Sequence, residues 1–292
     1  MKNKALTMTI VANMTSNYGE GLGNISSVQK VFRNGKVYAT RSRESLKNAI
    51  MVQSGMYEDL EVVVDGATQK KVDEEKNASN CRALEGGYMS TSPTTKIRKS
   101  SFYLTDAVAC DEFVNETRFH NNLYLASSYA KANNINLQED AKKSGLMPYQ
   151  YEYDKSMKQY SITFDLDKVG VDANYDVEAS KEEKILRVKT ILDAIENLAL
   201  AVKGNLDNAE PLLVFGGIGD YKTHYFENVV RVDRNKLDIT EDLKRRLDNG
   251  YRVGLLRGGN FDNEMDIIEE LKPISMAEFF SKLEEDVKEY YE

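Results

Sequence analysis

Cysteine, proline and histidine are scarce in this chain, and each shortage excludes something. Cys81 and Cys110 are the two cysteines in 292 residues, and their spacing matches no metal or redox motif. They are expected to be reduced thiols of a cytoplasmic protein. Four prolines and no Ser/Gly-rich linker predict one body carrying insertions rather than a string of modules. No apolar run approaches the roughly 20 residues of a membrane span, and the first residues lack a signal-peptide core. His120 and His224 are the two histidines and sit in neither a triad nor a metal motif. Both are expected to be structural or solvated, and no metal, cofactor or catalytic residue is expected. No internal repeat is visible.

Net charge is −8, with 29% charged and 41% hydrophobic residues. Residues 262–292 hold eleven acids and three bases, so the other 261 residues carry 36 of each and are neutral. A neutral body with a local basic stripe remains compatible with nucleic acid, because the local field decides. The stripe lies between residues 28 and 47: Lys30, Arg33, Lys36, Arg41, Arg43 and Lys47 against the single acid Glu44. A second acid-free patch, K-I-R-K-S-S-F, contains Lys96, Arg98, Lys99 and Ser100.

Alternation predicts strands over residues 5–14 and 160–166, and shorter ones at 60–64, 211–218, 226–232 and 251–256. Glycines 19, 21 and 23 make residues 17–24 a loop. Ser42 is a plausible N-cap for a helix stopped at Gly55. Capping boxes at Ser180/Glu183 and Ser275/Glu278 start two further helices, the first ending at Gly204. Thr240 and Gly250 bracket a short one. Residues 65–80 read as polar loop, and residues 106–153 give no confident elements. The core order of strand, helix, long excursion, strand, helix, strand fits an α+β split βαβ of the ferredoxin-like or RNA-recognition type.

Two glycine loops superficially suggest nucleotide sites. G-x-G-x-G at 19–23 is not the dinucleotide fingerprint, and F-G-G-I-G-D-Y-K-T has Tyr221 before Lys222 where a phosphate-binding loop needs glycine. The aromatic consensus of ordinary RNA-recognition motifs is also absent. Cations gathered at a helix start oppose its dipole unless an anion lies among them, so the stripe predicts a bound phosphate backbone read without sequence preference.

The residues resemble one family. A-N-M at Ala12, Asn13 and Met14, N-Y-G-E-G-L-G-N-I running through Asn24, and S-R-E-S-L-K from Ser42 to Lys47 look like the CRISPR Cascade backbone subunit in its DevR-type autoregulator branch. R-K-S-S at Arg98, Y-S-I-T-F-D-L-D-K-V-G-V at Tyr160, the Gly216-Gly217 turn and P-I-S-M-A-E-F-F at Pro273 extend the likeness over nearly the whole chain. The resemblance implies a type I-B-like subunit with an RNA-recognition-like (ferredoxin-like) palm, a large inserted finger region and a thumb hairpin. The palm core would be residues 1–55 and 156–261, the finger 56–155, and the acidic C-terminal segment 262–292, all in one domain.

It further implies copies polymerising along CRISPR RNA, target DNA pairing with the exposed guide, other Cascade subunits as neighbours, and no cutting by this subunit. Ser42, Arg43, Ser45 and Lys47 match the phosphate-gripping helix start, where Glu44 stands in place of the glutamine common in relatives. Arg98, Lys99 and Ser100 match a second segment expected near RNA. Residues 204–211 and the Gly216-Gly217 turn are the thumb candidates. Besides a plain protein-interaction module without nucleic acid, two other classes stay open. One is a RAMP-type metal-dependent target-RNA endonuclease, for which the first loop offers Asn17 and Glu20 but no aspartate. The other is a DNA-binding autoregulator, although no basic recognition helix is apparent.

Overall fold

The computed structural model describes residues 4–19, 25–91, 94–202 and 204–292. In chain order its main elements are β1 (Ala5–Thr15), β2 (Lys30–Arg33), β3 (Lys36–Arg41) and α1 (Arg43–Gln53). Then come β4 (Phe102–Leu104), β5 (Ala107–Ala109), β6 (Glu116–Asn121), α2 (Leu123–Ala132), β7 (Pro148–Tyr153), β8 (Lys155–Asp165) and α3 (Lys181–Glu196). The chain closes with β9 (Ala199–Val202), β10 (Asn205–Asn208), β11 (Pro211–Gly219), α4 (Glu241–Leu247), β12 (Arg252–Leu255), α5 (Glu264–Leu271), β13 (Ile274–Ser275) and α6 (Met276–Tyr291).

Nine strands form one sheet in the order β13-β12-β11-β1-β8-β5-β3-β2, with β4 also pairing β8. β1 runs antiparallel to β8 over its whole length, Ala5 opposite Asp165 and Thr15 opposite Lys155. Because side chains alternate along a strand, β1 divides its residues between two layers. Leu6, Met8, Ile10, Ala12 and Met14 join Tyr160, Ile162 and Phe164 of β8 in a core shared with α1, α3 and α6. The odd-numbered face is hydroxylated at its centre: Thr7 bonds Thr163 at 3.1 Å and Thr9 bonds Ser161 at 2.7 Å. Beyond that band Val11, Leu213, Phe215 and Val253 pack a second core under Phe226, Leu237 and Leu243.

Gly216 lies inside β11, and a Cβ there would meet the Thr7 carbonyl oxygen at 2.6 Å. The Gly216-Gly217 pair is therefore a close approach between two central strands rather than the turn expected for the thumb. The hairpin in that part of the chain is β9–β10, with Ala199 opposite Asn208 and Leu206 exposed.

The insertion between α1 and β8 is not one excursion. β4 and β5 return to the main sheet, Ala107 pairing with Arg41 and Val108 with Gln159. The remainder builds two small bodies. The first, centred on Ala78, Cys81, Leu84 and Tyr88, is bolted to α3 through a buried charge cluster. The second is a three-stranded sheet of β6, β7 and the short strand Ile25–Ser26, with α2 beside it. The acidic C-terminal residues 262–292 complete the core: Phe279, Phe280, Leu283 and Val287 of α6 are all buried.

Other expectations need correction. Residues 226–231 are not a strand; the segment turns, Phe226 plugs the second core, and Val232 enters a two-residue strand, Val232–Asp233. α3 stops at Glu196, capped by Asn197, because Ala199 already begins the hairpin. Residues 65–80 contain a strand, Ala67–Lys70, hairpinned against Val62–Asp65. Among the described residues no helix is long and apolar enough to cross a membrane.

Candidate nucleic-acid interface

The start of α1 is the best-organised part of the basic stripe. Ser42 caps the helix, its hydroxyl accepting from Ser45 N–H (3.3 Å), while its own N–H donates to Asn17 Oδ1 (2.8 Å). The Arg43 N–H donates to Asp106 Oδ1 (2.8 Å). The positive end of the helix is thus met by acceptors of the chain itself, and no external anion is needed to satisfy it. This corrects the electrostatic premise drawn from the sequence.

The individual cations divide sharply. Arg41 is 4% exposed and donates from Nε to the Thr15 carbonyl (3.0 Å) and from Nη1 to Ser45 Oγ (2.9 Å); burial lowers its pKa. It therefore ties β1 to α1 and does not face solvent. Lys30 pairs with Glu152 of β7 at 2.5 Å, joining palm to finger. Lys36 pairs loosely with Glu112 (3.6 Å), and Arg33 is exposed. Arg43 is exposed, and among the described residues its guanidinium pairs with one carboxylate, that of the neighbouring Glu44 (2.8 Å). Asn13 is the exposed residue near the end of β1. Asn24, Gly21, Gly23 and Glu20 lie outside the described residues.

Lys47 is half-buried. Its ammonium donates to Ser100 Oγ (2.7 Å) and the Phe102 carbonyl (3.3 Å) and sits 4.3 Å from the Phe102 ring centroid. Burial, with Lys70 and Arg98 nearby, pulls its pKa down to about 8. Lys47 and Ser100, from the two separate basic patches, are thereby brought together, and with Arg43 they line a shallow cleft of about 400 Å³.

The rest of the second patch behaves otherwise. Arg98 is an internal bolt: it donates to the carbonyls of Val171 (2.8 Å), Leu84 (2.7 Å) and Lys168 (2.7 Å) and pairs with buried Glu85 (3.1 Å). Glu85 also takes Arg187 Nη1 (2.8 Å), the Gly170 N–H (2.7 Å) and the Ser101 hydroxyl. With every direction of its guanidinium engaged inside the fold, Arg98 has nothing to offer a ligand, against the expectation. Lys96 lies 3.6 Å from the Tyr175 ring centroid and Lys99 is exposed. Lys222 is held between Asp165 (2.6 Å) and Asp167 (3.2 Å), and Gly216 and Gly217 are inside the sheet. These three positions are also corrected: two are packing glycines and one is a neutralised cation.

A groove of about 660 Å³ runs over the hydroxylated face of the sheet. Arg33, Arg43 and Arg231 line it, with Asp106, Glu227, Asp233, Thr105, Ser161, Asn228 and His224. His224 Nδ1 bonds Thr163 Oγ1 at 2.9 Å, and burial lowers its pKa. Arg43 belongs to both this groove and the Lys47–Ser100 cleft, so the two form one path across the start of α1. Arg231, Asn228 and Thr105 were missed from the sequence because each stands alone in an unremarkable stretch. Among the described residues no three His, Cys, Asp or Glu side chains are grouped to hold a metal ion.

A family model described as "CRISPR-associated negative auto-regulator DevR/Csa2" matches residues 6–241. The chain belongs to the DevR/Csa2 family. The match takes in β1, the stripe, the insertion, α3 and β11, and so every element that shapes the groove of this DevR/Csa2 protein. Its fold is that of two solved chains. One, from a "CRISPR RNA-guided surveillance complex, pre-nicking", has 11% identity and a TM-score of 0.59, covering 87% of this chain and 93% of that one. Another, from a "CRISPR RNA-guided surveillance complex", has 15% identity and a TM-score of 0.53, covering 86% and 87%. No curated protein matches the DevR/Csa2 chain significantly in sequence.

Proposed function

We propose that this chain is the CRISPR RNA-binding backbone subunit of a type I Cascade complex. Copies stand side by side along the guide in the cytoplasm, leaving guide segments open for target DNA, and other subunits complete the assembly. The observation that carries the site is the convergence of three exposed guanidiniums, Arg33, Arg43 and Arg231, from three separate segments onto one groove. Guanidinium forks suit phosphate oxygens, and a groove whose one tyrosine, Tyr160, turns its ring into the core suits a backbone read independently of sequence. Asp106, Glu227 and Asp233 temper the field, so each copy grips weakly, and neighbouring copies on one strand raise the effective concentration.

In this reading the subunit positions nucleic acid and breaks no bond. The test is to express the chain with its operon neighbours, purify it and sequence the RNA that accompanies it. Repeat-derived guides are expected, and random cellular RNA would refute the reading. Incubating the same complex with complementary RNA and magnesium examines the nuclease alternative; intact RNA is expected. The family description gives the autoregulator alternative its standing. A gel shift of its own promoter duplex with the isolated chain is expected to show no specific band.

A further inference from the structure

The finger sheet carries an aromatic ladder that the groove does not use. On β7, Tyr149, Tyr151 and Tyr153 are two residues apart and share one face. On β6, Arg118 lies opposite Tyr151 and His120 opposite Tyr149, so both join that face. His120 lies against both tyrosines, with centroids 5.5 Å from Tyr149 and 4.9 Å from Tyr151 and planes 17° and 19° from parallel, and the two tyrosines are 6.4 Å from each other, so the near-parallel rings form a triangle. The Arg118 guanidinium lies 3.5 Å from the Tyr153 centroid. Tyr149 is the end tyrosine of the β7 row and is 40% exposed.

Cross-strand aromatic pairs stabilise sheets, and some of this stacking serves that end. Two further features point outward. One is a cation within the ladder: Arg118 lies over Tyr153 and is half-exposed, pairing loosely with Glu116 at 3.5 Å. The ladder is also joined to the start of α1. Tyr151 meets the Tyr18 ring edge-on at 6.0 Å, and the preceding residue, Asn17, takes the Ser42 N–H. Asn17 and Tyr18 thereby connect the α1 start to the ladder.

We infer that the ladder receives an unpaired base of the same single-stranded RNA, stacked on the outer ring of Tyr149. The inference deepens the guide-holding reading and rests on it. A π face accepts any base, so the interaction is sequence-tolerant, like the groove. Arg118 supplies charge beside the stack.

The test uses the full chain and a short single-stranded RNA bearing one 2-aminopurine. Wild type is expected to quench the probe and, under ultraviolet light, to cross-link it through the peptide containing residues 148–153. Y149L is expected to weaken binding about tenfold without changing the salt slope, since the substitution removes a stacking platform and leaves every phosphate ion pair in place. Y149F is expected to bind as wild type. Cross-links confined to the palm, or unchanged affinity in Y149L, would overturn the ladder's role while leaving the groove intact. So would a Y149L chain whose self-association falls at unchanged RNA affinity, because the face would then belong to a protein interface. A wild-type chain that binds no RNA overturns both readings together.

Discussion

Arg43 and Arg98 come from the two basic stretches of the chain, and they end in opposite surroundings. Arg43 is exposed, pairs its guanidinium with the adjacent Glu44, and borders both the groove and the Lys47–Ser100 cleft. Arg98 is buried, reaches three carbonyls and Glu85, and fastens the first part of the insertion to the segment 168–171 that follows β8. The difference lies in which way the strand or helix turns each side chain. A cation density read along the chain averages over that direction. Lys47 lies between the extremes, with its stem buried and its ammonium at the cleft.

The contrast breaks most visibly at Arg98. R98M leaves Glu85 buried with only Arg187 as counter-charge, and removing one partner of such a cluster costs about 3–5 kcal/mol. Urea unfolding is expected to show that destabilisation, and a change below about 1 kcal/mol would mean that Arg98 is not a bolt. The mirror experiment is R33A combined with R43A. Stability is expected to stay within about 0.5 kcal/mol. RNA affinity is expected to fall, with the salt slope dropping by about 0.7 for each phosphate ion pair removed. An unaltered slope would remove these two guanidiniums from the interface.

Lys47 sharpens the intermediate case through pH. Its pKa is lowered from 10.5 to about 8 by burial and nearby cations, so it is charged below pH 8 and neutral above. Phosphate binding favours the charged form, and RNA affinity is expected to weaken as pH rises through about 8. K47R, which stays charged, should erase that step. For folding the sign is reversed: the unfolded chain holds this proton more tightly, so stability is expected to rise between about pH 8 and 10.5. A pH-independent affinity would place Lys47 away from RNA.

The smallest effect belongs to Glu183, which pairs with Arg82 and Arg187 beside the bolt. Hydrogen bonds from Arg82 and then Arg187 outweigh the burial that opposes them and lower its pKa from 4.5 to about 2. Its contribution is present above pH 4.5 and is lost as pH falls toward 2, diminished by partial exposure. E183Q is expected to flatten the acid limb of a stability profile slightly. An identical limb would show that the pair contributes nothing.

Legibility in the sequence followed locality. Ser42, Ser180, Thr240 and Ser275 all cap the helices expected of them, each accepting an N–H three residues on. The alternation of β1 and the periodicity of α6 were equally plain. Half of each capping box was not, since Glu183 turns to Arg82 and Arg187, and Glu278 to Lys282. α2 was missed because Ala126 and Ala130 alone of its residues are buried, leaving no apolar stripe to read. In the groove, Arg33 and Arg43 were identifiable from their stretch. Arg231 was not, because nothing local marks an arginine that becomes a neighbour only through β11 and the segment after it.

The sequence by itself determined the caps, the two-layer alternation of the central strands, the localisation of acid in the last 31 residues, and the family. Those depend on spacings within one turn or one strand, where propensity and side-chain direction are fixed by backbone geometry. Only the tertiary structure decided that Arg41 and Arg98 turn inward, that Arg231 joins Arg33 and Arg43, and that Tyr149, His120 and Tyr151 stack. Those outcomes depend on which distant segments supply acceptors, carboxylates or rings, and burial makes an unmatched charge costly enough to select among them.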